Sequence, residues 1–141
     1  MANVRSLNKK KYGISKNRFH ELYYHCLQYD EWKTKIRELQ CTLRGMQYGK
    51  IAMSGNAITS STEEAAIECA ELSAKCDVIE LTAKEADNEL YEYLLEAVTH
   101  KGVTYKYLSA RKRIPCGPDR FYDRRRKFYW LLDKKLKESR L

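Results

Sequence analysis

Apolar residues begin to recur at helical spacing from Lys16 onward, at Phe19, Leu22, Tyr23, Cys26 and Leu27. Ser15, just ahead of them, is a suitable N-cap. Trp32, Ile36, Leu39, Leu43 and Met46 then step by four, three, four and three, the spacing of a coiled-coil seam. The pattern predicts one helix from Lys16 to about Gln47, kinked near Tyr29 and Asp30. A second series, Cys69, Leu72, Cys76, Ile79 and Ala83, steps by three, four, three and four. Between the two, residues 48–61 hold two glycines and no sustained period, so they read as the main loop. Matched seams joined by a loop predict an antiparallel, coiled-coil-like helical hairpin over residues 15–86. Ser61 or Thr62 suits the N-cap of its second helix, and Glu63 and Glu64 suit the positive end of that helix. Glu63, Glu64, Glu68, Glu71 and Asp77 are expected beside Lys33, Lys35, Arg37 and Arg44. Such exposed pairs contribute about 0–1 kcal/mol each and set register more than stability.

Beyond the hairpin the segments shorten. Asp87 opens a third helix, Asn88 to His100, with Leu90, Tyr91, Leu94, Leu95 and Val98 as its apolar stripe. Lys101 and Gly102 end it, Gly102 in a left-handed position. Thr104 caps a short helix around 105–111. Both prolines of the chain, Pro115 and Pro118, lie in the next turn with Gly117. Pro118 falls in the first turn of the last helix, where a missing N–H costs nothing. The fold class expected is therefore all-α, a hairpin followed by a helix-turn-helix domain over residues 87–141. Residues 1–14 are basic, polar and aperiodic, and read as a mobile arm.

Charge changes this picture more than composition does. The chain has 141 residues, a hydrophobic fraction of 43% and a net charge of +8. Residues 1–50 carry eleven basic and four acidic side chains, residues 51–100 two and eleven, and residues 101–141 fourteen and four. Basic ends around an acidic middle suggest separate surfaces for separate partners. No apolar run approaches the roughly eighteen residues that span a bilayer, and no signal-peptide core is visible. A soluble cytoplasmic protein is expected, with no membrane partner. The five cysteines, Cys26, Cys41, Cys69, Cys76 and Cys116, form no close pair and read as reduced, small core residues. His20, His25 and His100 lack the spacing of a zinc site. No metal or cofactor is expected.

The chemistry concentrates in the last helix. Stepping 100° per residue from Phe121 puts Arg125, Phe128 and Leu132 within about 40° of it. That is the buried face, with the stem of Arg125 covering its edge. Leu131 and Leu136 flank it. Arg120, Asp123, Arg126, Lys127, Trp130 and Lys134 point away, and Arg124 sits at the boundary. A short helix, a tight turn and a cationic helix are what major-groove recognition requires. Arg120, Asp123, Arg124, Arg126 and Lys127 are the candidates to read or grip the groove of double-stranded DNA. Thr104, Tyr105, Lys106, Arg111, Lys112 and Arg113 are the candidates to hold phosphates. The expectation fails if the cations scatter around an isolated rod or are capped by the chain's own glutamates.

Other classes weigh less. A basic amphipathic helix is often only a solvated face, and it also suits an anionic membrane or an acidic protein. A protein–protein module centred on the hairpin is the main alternative: a dimerising adaptor, a DNA-packaging accessory or an inhibitor of a host factor. Trp32, Tyr23, Tyr24 and Tyr29 would then be interface anchors rather than core. An enzyme is not expected. There is no phosphate-cradling glycine loop, no HExxH and no nucleophile elbow. Glu31 and Glu38 read as solvated, and Glu89, Glu92 and Glu96 as an acidic face.

The segment Leu90 to Leu136 resembles region four of sigma factors. It is most similar to the sigma-like late-gene activators of Gram-positive phages, of the RinA and ArpU type. Leu94, Gly102, Thr104, Tyr105, Leu108, Ile114, Phe121, Arg124, Lys127, Phe128 and Leu132 carry the resemblance. They match the family's apolar anchors, loop glycine, helix cap and basic recognition positions. Phe19 to Lys33 looks like the leading helix of related prophage proteins from clostridial hosts. The turn "RIPCGPD" departs from the family, being longer and richer in proline. The resemblance implies promoter-proximal DNA binding and activation of phage late or packaging genes through the host RNA polymerase. It also implies a bacterial host cytoplasm. A homodimer through the hairpin is a further expectation.

Overall fold

A computed structural model describes residues 12–49 and 56–139. Among them the regular structure is all helical: α1 (Lys16–Leu27), α2 (Tyr29–Gly49), α3 (Asn56–Ala86), α4 (Tyr91–Thr99), α5 (Tyr105–Lys112) and α6 (Pro118–Glu138). The chain divides into two compact units. One holds residues 1–28 and 78–141, the other residues 29–77. The long helix α3 passes from the second unit into the first.

The expected helix from Lys16 to Gln47 is therefore two. Gln28 forms a turn between α1 and α2, and its N–H bonds back to His25 O at 3.3 Å. The apolar series changes phase here, since Trp32 follows Cys26 by six residues, and the kink expected near Tyr29 and Asp30 falls beside this turn. The two helices bury their stripes in different units. Phe19, Leu22 and Cys26 of α1 are fully buried in the unit that holds the C-terminal helices, where α1 packs on α4 and α6. Ser15 caps α1 as expected, its Oγ accepting the Arg18 N–H at 3.2 Å.

In this unit the Phe19 ring meets Tyr129 of α6 edge-on, with centroids 4.9 Å apart. Leu90, Leu94 and Val98 of α4 and Phe121, Phe128 and Leu132 of α6 complete the core, all fully buried. Each such side chain contributes about 1.5–3 kcal/mol by leaving water. Ile79 and Ala83 of α3 join them. The expected arm over 1–14 needs correction at its end, because Tyr12 and Ile14 are buried and Tyr12 lies 5.6 Å from the Trp130 ring. Residues 1–11 of that arm lie outside the described residues.

The second unit holds α2 and most of α3. Trp32, Ile36 and Leu39 of α2 and Cys76 of α3 are buried, and the Lys75 ammonium sits 5.3 Å from the Trp32 ring centroid. Leu43, Cys69 and Leu72 are half-buried; the side chain of Met46 lies outside the described ones. Part of the loop expected over 48–61 is helical instead, since α2 runs to Gly49 and α3 starts at Asn56; residues 50–55 lie outside the described ones. Ser61 and Thr62 are thus inside α3 and do not cap it. Lys35, Arg37 and Arg44 form no ion pair with the acids of α3 among the described residues. Arg37 donates to Thr34 Oγ1 at 3.3 Å. Of the cysteines, only Cys26 and Cys76 are core; Cys41 is exposed, and Cys69 and Cys116 are half-buried.

Candidate nucleic-acid interface

The short helix α5 is built as its sequence dictates. Thr104 Oγ1 accepts the Tyr107 N–H at 3.3 Å, satisfying one of the free donors of the first turn. Leu108 is its fully buried anchor. The helix ends at Arg113, which takes a left-handed conformation at φ 52° and ψ 50°. A non-glycine residue there costs about 1–2 kcal/mol. The Ile114 N–H returns to Leu108 O at 3.3 Å, and Ile114 is buried. The turn is then pinned from the α5 side, where the Tyr105 hydroxyl donates to Cys116 O at 2.6 Å. The Tyr105 ring stands 5.9 Å from that of Phe121. Gly117 is the N-cap of α6 and Pro118 its first residue. The two segments flanking residues 114–118 thus fold against each other, with α5 packed on α6.

The cations of α6 have separate fates. The Arg125 guanidinium packs over the rings of Tyr129, at 5.2 Å, and Phe19, at 5.7 Å, closing the edge of the core as its helical position implies. Toward the C-terminus, Lys134 Nζ lies 3.5 Å from the Trp130 ring centroid. Lys135 pairs with Glu85 at 2.9 Å and Lys137 with Asp133 at 3.0 Å. Near the start, Arg120 and Arg124 both reach Asp87, which stands between α3 and α4. Asp87 Oδ2 accepts from Arg120 Nη2 at 3.0 Å and from Arg124 Nε at 3.1 Å. Arg120 also pairs with Glu89 at 3.1 Å, and Arg124 Nη1 donates to Asp123 Oδ2 at 3.3 Å.

Arg126 and Lys127 are different. Both are half-buried, and neither forms an ion pair among the described residues. The same holds for Lys106, Arg111, Lys112 and Arg113, all of them exposed. Six of the expected interface cations are therefore uncommitted. Tyr105, expected at a phosphate, spends its hydroxyl on Cys116 O.

Two carboxylates carry the electrostatics of α6. Burial pushes the Asp87 carboxyl up, but the Arg120 hydrogen bond and the Leu90 and Glu89 N–H groups outweigh it and hold the group below the ordinary carboxylate range. Burial likewise opposes Asp133, and bonds from Arg18 and Lys137 prevail, again lowering it. Burial pushes the Tyr129 phenol and the Cys26 thiol well up, with Arg125 opposing in both cases.

The role of Asp87 is not visible in the sequence, where it reads only as a helix opener. The available signal is the spacing of Arg120 and Arg124, four apart on one face and flanking the boundary of the buried stripe. A pair so placed calls for an acid on the neighbouring element, but spacing does not say which. Among the described residues no group of three or more His, Cys, Asp or Glu is arranged to hold a metal ion. No helix of the described residues is long and apolar enough to cross a membrane. No family model, curated protein or solved structure matches the chain.

Proposed function

We propose that this chain is a DNA-binding transcriptional regulator, phage-encoded, that acts near a promoter and contacts the host RNA polymerase to activate late or packaging genes. The observation that carries the DNA part is the division of the C-terminal cations. Arg120, Arg124, Arg125, Lys134, Lys135 and Lys137 of α6 are consumed by rings and carboxylates of the chain, while Lys106, Arg111, Lys112, Arg113, Arg126 and Lys127 are not, among the described residues. Uncommitted cations on a short helix, its turn and the helix after it suit a phosphate backbone, because each phosphate neutralised releases counterions. The pairing of α5 with α6 supports reading the region as a helix-turn-helix. The late-gene and polymerase parts rest on the sigma-like resemblance of residues 90–136. The acidic run from Glu63 to Glu96 would repel DNA, so it is assigned to the protein partner.

A second reading, a protein–protein module, is favoured by Ile67 of α3, which leaves 58% of its surface exposed within the 29–77 unit. In that reading α2 and α3 form the antiparallel hairpin, with Trp32 and Lys75 in contact, and a second copy covers the exposed stripe.

Binding of the purified chain to a 30-bp duplex from upstream of its own gene, followed by anisotropy across a salt series, tests the first reading. The logarithm of the affinity should fall linearly with that of the salt concentration. Neutralising Arg111, Lys112 and Arg113 together should flatten the slope by up to about 2.7, at roughly 0.9 for each phosphate no longer neutralised. Salt-independent binding, or none in low salt, sinks it.

A further inference from the structure

We infer that Asp87 is the positioning residue of the DNA-reading helix, and that Arg120 and Arg124 serve Asp87 rather than the duplex. The functional half of this inference rests on the DNA-binding reading; the clamp itself does not.

Asp87 is not a swinging surface acid. Its side chain is 7% exposed. Oδ1 accepts the backbone N–H groups of Glu89, at 3.0 Å, and Leu90, at 3.2 Å, an Asx-type arrangement that orients the carboxylate. Oδ2 faces α6 and takes Arg120 Nε at 3.2 Å, Arg120 Nη2 at 3.0 Å and Arg124 Nε at 3.1 Å. One carboxylate, fixed by the turn before α4, therefore grips two side chains one turn apart in the first half of α6. That half is the part a helix-turn-helix inserts into the groove. Recognition tolerates misplacement of only about 0.5 Å and 10–20°, so a group that fixes the seating of this half fixes what it can read.

The same geometry withdraws Arg120 and Arg124 from the groove. To reach a phosphate or a guanine, each must abandon a charge-assisted bond to an oriented carboxylate. Arg126 and Lys127 give up no ion pair among the described residues. The groove contacts of α6 are accordingly assigned to Arg126 and Lys127, with Asp123 beside Arg124 on the clamped side.

Asp87→Asn is the informative substitution, because the amide keeps the Oδ1 acceptor for the turn and replaces the charged Oδ2 acceptor of Arg120 and Arg124 with an N–H donor. It also raises the net charge by one, so electrostatics alone predicts tighter binding to DNA. The positioning role predicts the opposite: about tenfold weaker binding to the upstream 30-bp duplex, with the salt slope unchanged and with discrimination against a scrambled duplex abolished. Arg120→Gln with Arg124→Gln should likewise leave the slope alone, while Arg126→Gln with Lys127→Gln should reduce it by up to about 1.8, at roughly 0.9 for each of the two that also neutralises a phosphate at the groove edge. Arginine Nε–Hε resonances of the full chain without DNA supply an independent arm. Slowly exchanging Arg120 and Arg124 signals should be present in the unsubstituted protein and absent from Asp87→Asn. Adding the duplex should move Arg126 and leave those two in place.

Tighter binding by Asp87→Asn, or a slope reduced as much by the 120/124 pair as by the 126/127 pair, overturns the inference. Fast-exchanging Arg120 and Arg124 signals in the free protein overturn it without reference to DNA. An unsubstituted protein that ignores the duplex but keeps those slow signals sinks the DNA-binding reading and the groove assignment, and leaves the clamp standing. Should Asp87→Asn fail to fold, the two double substitutions on α6 decide the assignment.

Discussion

Arg18 Nε donates to Asp133 Oδ1 at 2.6 Å, joining α1 to α6 across 115 residues of sequence. The two side chains are only 18% and 11% exposed, and Lys137 Nζ holds the other carboxylate oxygen at 3.0 Å. The bond matters because α1 covers the C-terminal half of α6, while Asp87 grips the N-terminal half. One helix is thus held at both ends by carboxylates.

Acid should unfasten both ends together. Asp87 and Asp133 have carboxyls held below the ordinary value, so the unfolded chain binds protons before the folded one does. Their contribution to stability is complete above the unfolded value of about 3.9 and is lost as pH falls through the lower folded values. Chemical denaturation at steps from pH 6 to pH 2 should show stability falling below about pH 4. Asp133→Ala should cost about 1.5–3 kcal/mol at pH 7 and flatten that fall. An unchanged profile in the variant would clear Asp133 of any part in the acid transition.

The aromatic junction between α1 and α6 is a core contact, not an ornament. Phe19 is fully buried and meets Tyr129 edge-on. Phe19→Ala should destabilise by about 3–5 kcal/mol, a loss read from urea melts followed by circular dichroism. Tyr129→Phe should cost far less, because it keeps the buried ring and its edge-on contact with Phe19. The same melts should place it within about 1.5 kcal/mol of the unsubstituted protein.

Among the described residues two turns carry left-handed residues, one glycine and one not. Gly102 has φ 77° and Arg113 φ 52°. Gly102→Ala should cost about 1 kcal/mol, since a Cβ is strained there whatever space surrounds it. Arg113→Gly should gain about as much by relieving the same strain. Because Arg113→Gly also removes an uncommitted cation, it should weaken duplex binding while raising the melting temperature. That opposite movement separates an interface role from a folding role.

Thiol chemistry should follow burial. Native-state alkylation with iodoacetamide, read by peptide mass spectrometry, should modify exposed Cys41 first and leave buried Cys26 and Cys76 untouched until denaturant is added. Cys116 should react more slowly than Cys41, because burial raises its thiol pKa against the opposing charge of Arg120.

Much of this is legible in the sequence, and the reason is locality. The caps at Ser15 and Thr104, the first-turn position of Pro118 and the left-handed Gly102 each depend on a few neighbouring residues. The buried face of α6 is also local, since Phe121, Phe128 and Leu132 share one side of any helix. Tyr129 escapes such a reading because it stands about 80° from Phe121 on that wheel, and only α1 arriving on that flank buries it.

The chain by itself determined that these segments are helices, where α1, α5 and α6 begin, and which stripe of each is apolar, because hydrogen bonding and side-chain direction within a helix repeat every few residues; α4, expected from Asn88, starts at Tyr91. Only the tertiary structure decided that α1 leaves α2 for α4 and α6, and that Arg120 and Arg124 belong to Asp87. Those contacts join residues 33 and 37 positions apart on the arginine side and 115 apart at Arg18. Periodicity says which way a side chain points from its own axis, and carries no information about which distant element arrives there to meet it.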